Sequence, residues 1–529
     1  MAPARAASLL VTSLLATSML AGNLQAAELP AAARDAMQRA RIAESALSVL
    51  VQEAGSGRTL LASNERVAVN PASLMKLLTT YAALDSLGPA WSWATPVYFG
   101  GPLRDGVLEG PLVIKGAGDP KLVIERLWLL LRRVQQLGVT EIRGDIVLDR
   151  SAFAAADGAA TDFDGDATRP YNVLPDPLLL NFKSVIYSFV PDPARGVARV
   201  MAEPDLGPGR AERTVPLNAG PCDDWRGALK AVAGDKGYRF AGSYPQACGE
   251  QTWPLADPNP ATYNARFIET IWRELGGRLS GVVRDGPVPA GARLAFEYRS
   301  PPLAETVRDI NKFSNNVMAQ QLALSLALHR AGTAPQRGGV GSGVGSGVSA
   351  GVGAGVGSVV GSGVSAGVTA EAARDTLRRW VAERLGEPPA EIVIDSGSGL
   401  SRQNRVTAAW LGVLLQHAYS SPVMPELMSS LPVTGLDGTL RRSRAAPGRA
   451  HLKTGSLREV AGVAGYVLAD SGQRYVLVAI VNHANAAQAR PAIDELVQWV
   501  MRDGPAATAG LPPPTPHLAT RQPPALKKP

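Results

Sequence analysis

The stretch Asn70-Pro-Ala-Ser-Leu-Met-Lys-Leu-Leu78 constrains this chain more than any other part of it. It places Ser73 and Lys76 three residues apart where a helix is expected to begin. Residues at i and i+3 share a helix face, so the hydroxyl and the amine can meet. A serine hydroxyl is a poor nucleophile until a base takes its proton, and a desolvated lysine can serve as that base. Ser-x-x-Lys is a short pattern, and about one chance match is expected in a chain of this length. By itself it equally describes an N-cap serine followed by a solvated lysine. Two apolar, strand-like segments at 45–51 and 58–62 precede it, joined by Ala54-Gly-Ser-Gly57 as a hairpin, and Gly88-Pro89 stops the helix after Leu87.

The N-terminus speaks to location. Arg5 precedes an apolar run at 6–21 broken only by Ser and Thr, and Gln25-Ala26-Ala27 offers small residues for cleavage. Residues 1–27 therefore read as a secretory signal peptide, with an uncleaved N-terminal anchor as the alternative. No cysteine follows the run, which argues against a lipoprotein, and no later apolar run reaches about 18 residues. The mature protein is expected in the periplasm without a transmembrane segment. The only two cysteines, Cys222 and Cys248, lie in one polar, Pro/Gly-rich region. In an exported protein they form one disulfide closing a surface loop, or else remain two buried thiols. Five histidines spread over the chain do not support a metal site. A net charge of +7 with scattered basic residues gives no aromatic-interleaved basic patch, so no nucleic-acid partner is expected.

With 529 residues the chain has room for two to four domains. Residues 91–297 differ in texture, being rich in Gly, Pro and Asp. They carry strand candidates at 111–115, 141–148 and 197–202 and helices at 121–137 and 264–275. They read as one or more β-rich domains inserted into a domain made of 28–90 and 298–503. Helical periodicity returns over 303–329, with Val307, Ile310, Val317 and Met318 apolar, but Asn311-Lys-Phe-Ser-Asn-Asn316 interrupts it. Ser and Asn compete for backbone hydrogen bonds inside helices, so Ser314-Asn315-Asn316 marks either a solvated turn or a site. The Gly/Val/Ser/Ala run at 338–368 reads as a flexible insertion, and 504–529 as a disordered Pro-rich tail. Between them lie a helix at 370–385, a strand at 392–395 entering a polar turn, the segment Arg449-Ala-His-Leu-Lys453-Thr-Gly-Ser456, strands at 461–468 and 474–482, and a helix at 491–501. The fold class is α+β, an antiparallel sheet covered by helices.

Ser73-x-x-Lys76, Ser314-x-Asn316 and Lys453-Thr454-Gly455 stand in an order, and at positions on helix start, inter-helix turn and strand, that chance rarely supplies. The set resembles the active-site serine penicillin-recognising enzymes, which include penicillin-binding proteins and class A β-lactamases. About 240 residues separate Ser73 from Ser314, more than a compact β-lactamase needs. The chain is thus similar to the D-alanyl-D-alanine carboxypeptidase/endopeptidases of the penicillin-binding protein 4 (DacB) type. Segments 116–120, 142–149, 395–402 and 435–440 are similar to further signatures of that family. The resemblance implies a β-lactamase/transpeptidase-like fold, no cofactor, peptidoglycan stem peptides and cross-links as substrates, and β-lactams as acylating inhibitors.

It also implies roles. Ser73 is the nucleophile, Lys76 its base, and Ser314 a proton relay through Lys76 or Lys453. Asn316 binds a substrate amide, Lys453 supplies positive charge, and Thr454 offers its hydroxyl to a carboxylate. Gly455 lets substrate lie along the strand, and the backbone N–H groups of Ser73 and Ser456 form the oxyanion hole. Two rival readings remain: another hydrolase on the same scaffold, such as a β-lactamase or esterase, and a non-catalytic wall-binding scaffold.

Overall fold

In the computed structural model the described residues are 28–206, 213–235, 237–333 and 367–504. The expected leader at 1–27, the Gly/Val/Ser run but for its last two residues, and the tail beyond Gly504 lie outside them.

Strand Arg474–Asn482 reads Arg-Tyr-Val-Leu-Val-Ala-Ile-Val-Asn, apolar on both faces. Successive side chains of a strand point to opposite sides, so Val476, Val478 and Ile480 enter one core and Leu477, Ala479 and Val481 another. The strand is therefore the middle of a five-stranded antiparallel sheet in the order Ala450–Leu457, Val460–Leu468, Arg474–Asn482, Leu47–Glu53, Thr59–Ser63. Helices Ala31–Arg39 and Arg490–Met501 cover one face through Met37, Leu496 and Val500. The other face meets a helical layer centred on Met75–Leu87, in which every residue from Met75 to Leu84 is buried. A helix buried all round belongs in the middle of a core. It is packed by Leu303–Phe313, Asn316–Thr333, Ala370–Leu385 and Ala408–Tyr419. The architecture is α+β, as expected.

The chain leaves this layer by Ala94–Phe99 and returns by Arg293–Arg299, which pair with each other antiparallel. Pairing the entering and leaving strands ties the ends of the long excursion together. Among the described residues between them lie the other three strands of the sheet they share, two further sheets, a two-stranded hairpin and helices Ile124–Gln136 and Pro260–Glu274, around a core of their own. Cys222 and Cys248 are joined by a disulfide there.

Several elements differ from the sequence reading. Residues 141–148 form two short strands in different sheets, Glu141–Ile142 and Ile146–Asp149. They part at Gly144, where a Cβ would sit 2.7 Å from the Gly110 carbonyl carbon, so two chains cross closely there. Residues 392–395 make a single bridge, Val393 with Arg405, instead of a strand. The interruption read within 303–329 does separate two helices, Leu303–Phe313 and Asn316–Thr333. Helices Ala31–Arg39, Ala408–Tyr419 and Met424–Ser430 escaped the periodicity analysis. The second of them has a clear start signal, the Thr407 hydroxyl accepting the Trp410 N–H at 3.0 Å.

Candidate active site

The turn that carries Ser73 is built from local rules. Pro71 fixes the entry, and Ala72 sits at φ 48°, in the left-handed region that a residue with a Cβ adopts at a cost. Asn70 holds it there, its Oδ1 accepting the Ala72 N–H at 2.8 Å while its Nδ2 donates to the Ser401 carbonyl at 2.9 Å. Gly399 lies against the same turn, where a Cβ would be 1.9 Å from the Ala72 oxygen, so only glycine fits. Residues Ala72–Leu74 form a 3-10 turn and the α-helix proper starts at Met75. The i, i+3 pairing survives this: the Lys76 Nζ donates to the Ser73 Oγ at 2.9 Å.

Lys76 has two further acceptors, Asn316 Oδ1 at 2.6 Å and the Ser398 carbonyl. The Asn316 amide orientation follows from its Nδ2, which donates to the Tyr171 carbonyl at 3.3 Å. Two of the three partners of Lys76 therefore accept only. A neutral amine has two N–H bonds and one lone pair. Spending both N–H bonds on Asn316 and Ser398 leaves the lone pair facing the Ser73 hydroxyl, the geometry of a general base. Complete burial pushes the Lys76 amine well below its usual range, and the charge of Lys453 pushes it further down.

The interruption at 311–316 has a plain cause. Ser314 caps Leu303–Phe313 in the left-handed conformation, φ 56°. Asn315 starts the next helix, its Oδ1 accepting the Met318 N–H at 3.1 Å, which leaves Asn316 aimed at Lys76. The Ser314 Oγ accepts from the Lys453 Nζ at 2.8 Å, and Lys453 also donates to the Thr454 carbonyl at 2.9 Å. Burial alone lowers the Lys453 amine to about 7.

Lys453, Thr454 and Gly455 lie on the edge strand Ala450–Leu457. A Cβ on Gly455 would be 2.6 Å from the Pro71 carbonyl, so glycine lets this strand close on the nucleophile turn. That packing role adds to the substrate-facing one expected from sequence. Ser456, exposed, lies opposite Ala461, and Ser73 is half-buried.

The structure thus gathers Ser73, Lys76, Ser314, Asn316, Lys453, Thr454 and Gly455 in one cluster. Cys222 and Cys248 lie apart from it, between Ala94–Phe99 and Arg293–Arg299. Sequence reasoning missed the Ser398 and Tyr171 carbonyls and Thr439, whose hydroxyl meets that of Thr454 at 2.8 Å. The Ser/Gly-rich turn at 395–402 was a visible signal, but no pattern says which carbonyl a turn presents. Among the described residues no group of three His, Cys, Asp or Glu is arranged to hold a metal ion, and no helix is long and apolar enough to cross a membrane.

Comparison with known proteins is consistent with this geometry. A D-alanyl-D-alanine carboxypeptidase of Actinomadura sp. (strain R39) is 27% identical over 481 residues, covering 88% of this chain and 82% of the relative. The D-alanyl-D-alanine carboxypeptidase DacB of Haemophilus influenzae is 24% identical over 423 residues, covering 78% and 80%. The crystal structure of penicillin binding protein 4 (dacB) from Haemophilus influenzae has the same fold, with a TM-score of 0.66 at 22% identity, spanning 88% of this chain and 99% of that one. Another structure of that protein, complexed with a β-lactam, gives 0.62 at 20% identity. Residues 29–377 and 356–503 match the D-Ala-D-Ala carboxypeptidase 3 (S13) family, and the chain belongs to it.

Proposed function

We propose that this protein is a serine D-Ala-D-Ala carboxypeptidase and peptidoglycan D,D-endopeptidase acting through an acyl-enzyme on Ser73. The observation that carries the reading is the buried Lys76 amine, with two acceptor-only oxygens and the Ser73 Oγ as its partners. Lys76 takes the Ser73 proton as Oγ bonds to the D-Ala carbonyl carbon, and the carbonyl electron pair moves onto oxygen. The backbone N–H groups of Ser73 and Ser456 receive that oxyanion, each worth about 3 kcal/mol at such sites. On collapse the C–N bond breaks and the proton passes from Lys76 to the leaving amine through Ser314, which Lys453 holds at 2.8 Å. Water then cleaves the ester. Asn316 hydrogen-bonds a substrate amide, while Lys453 and Thr454 receive the carboxylate beside the scissile bond. Substrate lies along the edge strand at Gly455 as an added strand.

A terminal D-Ala-D-Ala presents that carboxylate for carboxypeptidase action, and the D-centre of a cross-linking diamino acid presents it for endopeptidase action. β-Lactams mimic the former and acylate Ser73. Export to the periplasm after removal of 1–27 fits the Cys222–Cys248 disulfide, which needs an oxidising compartment. We read 28–90 with 298–503 as the catalytic domain and 91–297 as the inserted part.

Intact mass after incubation with a fluorescent penicillin tests the reading. Wild type is expected to hold one persistent adduct and Ser73→Ala none, with D-Ala release from muropeptides reduced by about 10⁴-fold or more in the variant. Rapid penicillin turnover without D-Ala release would favour a β-lactamase. No adduct on either protein would leave the scaffold reading.

A further inference from the structure

The segment after the 424–430 helix runs beside the first half of the edge strand. Leu452 N–H donates to the Pro432 carbonyl at 2.9 Å, and Thr434 N–H to the Ala450 carbonyl at 3.0 Å. It then turns away through Gly435-Leu-Asp-Gly-Thr-Leu440, closed by Gly435 N–H to the Leu440 carbonyl at 3.1 Å. This turn ends the covered part of the edge, and the exposed edge beyond it is where a substrate strand would add. Its last hydroxyl, Thr439, touches the Thr454 hydroxyl at 2.8 Å. Thr454 is the donor of this pair, so the Thr439 oxygen fixes where the Thr454 hydroxyl points, and that proton turns to a carboxylate when substrate binds.

One buried cation grips the turn from the opposite side. Lys312, two residues before Ser314 and 6% exposed, donates to the Leu431 carbonyl at 2.6 Å and to Asp437 Oδ2 at 2.6 Å. Asp437 Oδ1 accepts the Val433 N–H at 2.8 Å. Gly438, at φ 54°, lies so close that a Cβ would be 2.6 Å from the Lys312 carbonyl. Burial works against charge on Asp437, but the Lys312 ammonium and the Val433 N–H outweigh it and hold the carboxyl below its usual range. None of the three motifs includes either residue.

We propose that Lys312 and Asp437 are positioning residues of the carboxylate subsite, their ion pair fixing turn 435–440 so that Thr439 aims the Thr454 hydroxyl at the substrate carboxylate. The inference rests on the reading of Thr454 as the carboxylate-binding hydroxyl. Its specific consequence is selectivity: loosening the clamp harms only substrates whose leaving group carries a carboxylate.

The test compares two acyl donors on the full-length protein, an N-acyl-D-Ala-D-Ala peptide with a free carboxylate and an aryl ester of the same acyl-D-alanine. Asp437→Asn, an isosteric change at a half-exposed side chain, and Lys312→Met are each expected to lower kcat/KM for the peptide about five- to tenfold through KM, with the ester within about twofold of wild type. Thr439→Ala is expected to give the same split, and Thr454→Val a larger one. Equal loss on both donors in Asp437→Asn would reduce the pair to a structural role and overturn the proposal, as would no loss on either. If Thr454→Val leaves the ratio of the two donors unchanged, it is the carboxylate reading of Thr454 that fails. If Thr454→Val splits them and Asp437→Asn does not, the clamp alone fails.

Discussion

The two motif lysines, Lys76 and Lys453, and the carboxylates Asp176 and Asp257 of residues 91–297 are all buried, but in opposite ways. In the inserted segment Asp176, 1% exposed, lies between Arg150 at 2.5 Å and Lys183 at 2.7 Å, and Asp257 meets Arg266 at 2.5 Å. Each of these carboxylates has its counter-charge. In the cleft Lys76 and Lys453 are both fully buried, and among the described residues neither has a carboxylate within ion-pair range. Taking an ion out of water costs several kcal/mol, and a matched pair recovers much of that by attraction. An unmatched lysine recovers it by giving up its proton, which makes it a base at neutral pH. Matched burial holds the fold, and unmatched burial prepares chemistry. Among the described residues of 91–297, Asp119 departs from this: it is buried without an ion-pair partner, and burial raises its carboxyl to about 6.

The contrast can be broken from either side. The largest effect belongs to Lys76→Met, which keeps the volume and removes the amine. Penicillin acylation is expected to fall by about 10²–10⁴-fold, the usual range for losing a general base, while the thermal midpoint does not fall. A drop in both would mean that Lys76 supports structure.

Next is pH. Lys453 titrates near 7 when folded and near 10.4 when unfolded, so above neutrality the folded cleft loses a charge that the unfolded chain keeps. Carboxypeptidase kcat/KM is expected to decline about tenfold per pH unit on the alkaline side, with an apparent pKa of about 7 set by Lys453. Over the same window the unfolded state binds more protons, so this group adds to stability as pH rises. A pH–rate profile flat to pH 9 would contradict it.

Replacing both Cys222 and Cys248 by Ala tests whether the inserted segment carries stability and not chemistry. A loss of about 3 kcal/mol is expected by calorimetry for a loop of this size, with penicillin acylation within about twofold of wild type. The smallest effect is that of Asp119→Asn. A carboxyl raised above its unfolded value favours folding at low pH and loses that benefit as pH climbs through about 6. The variant is therefore expected to gain about 1–3 kcal/mol at pH 8 and nothing at pH 4. A gain at both would place the effect in packing.

What the sequence determined by itself is what short-range geometry encodes. The i, i+3 spacing put the Ser73 hydroxyl and Lys76 amine together, and it did so even though the turn is 3-10 and not α-helical. The Gly88-Pro89 stop set the end of the Met75–Leu87 helix, which closes at Gly88. The apolar residues within 474–482 marked a strand. Ser and Asn at 314–316 marked a break, because neither sits well inside a helix.

Tertiary structure alone decided the rest. Lys76 reaches Asn316 across 240 residues and the Ser398 carbonyl across 322, and a carbonyl oxygen belongs to every residue, so composition cannot say which one faces an amine. The left-handed Ala72 is held by its neighbour Asn70, which is itself tied to the distant Ser401, and by the distant Gly399 packed against the turn. Whether a buried charge is matched or orphaned follows from which chains pack together, and that distinction separates the lysines of the cleft from the ion pairs of the insertion.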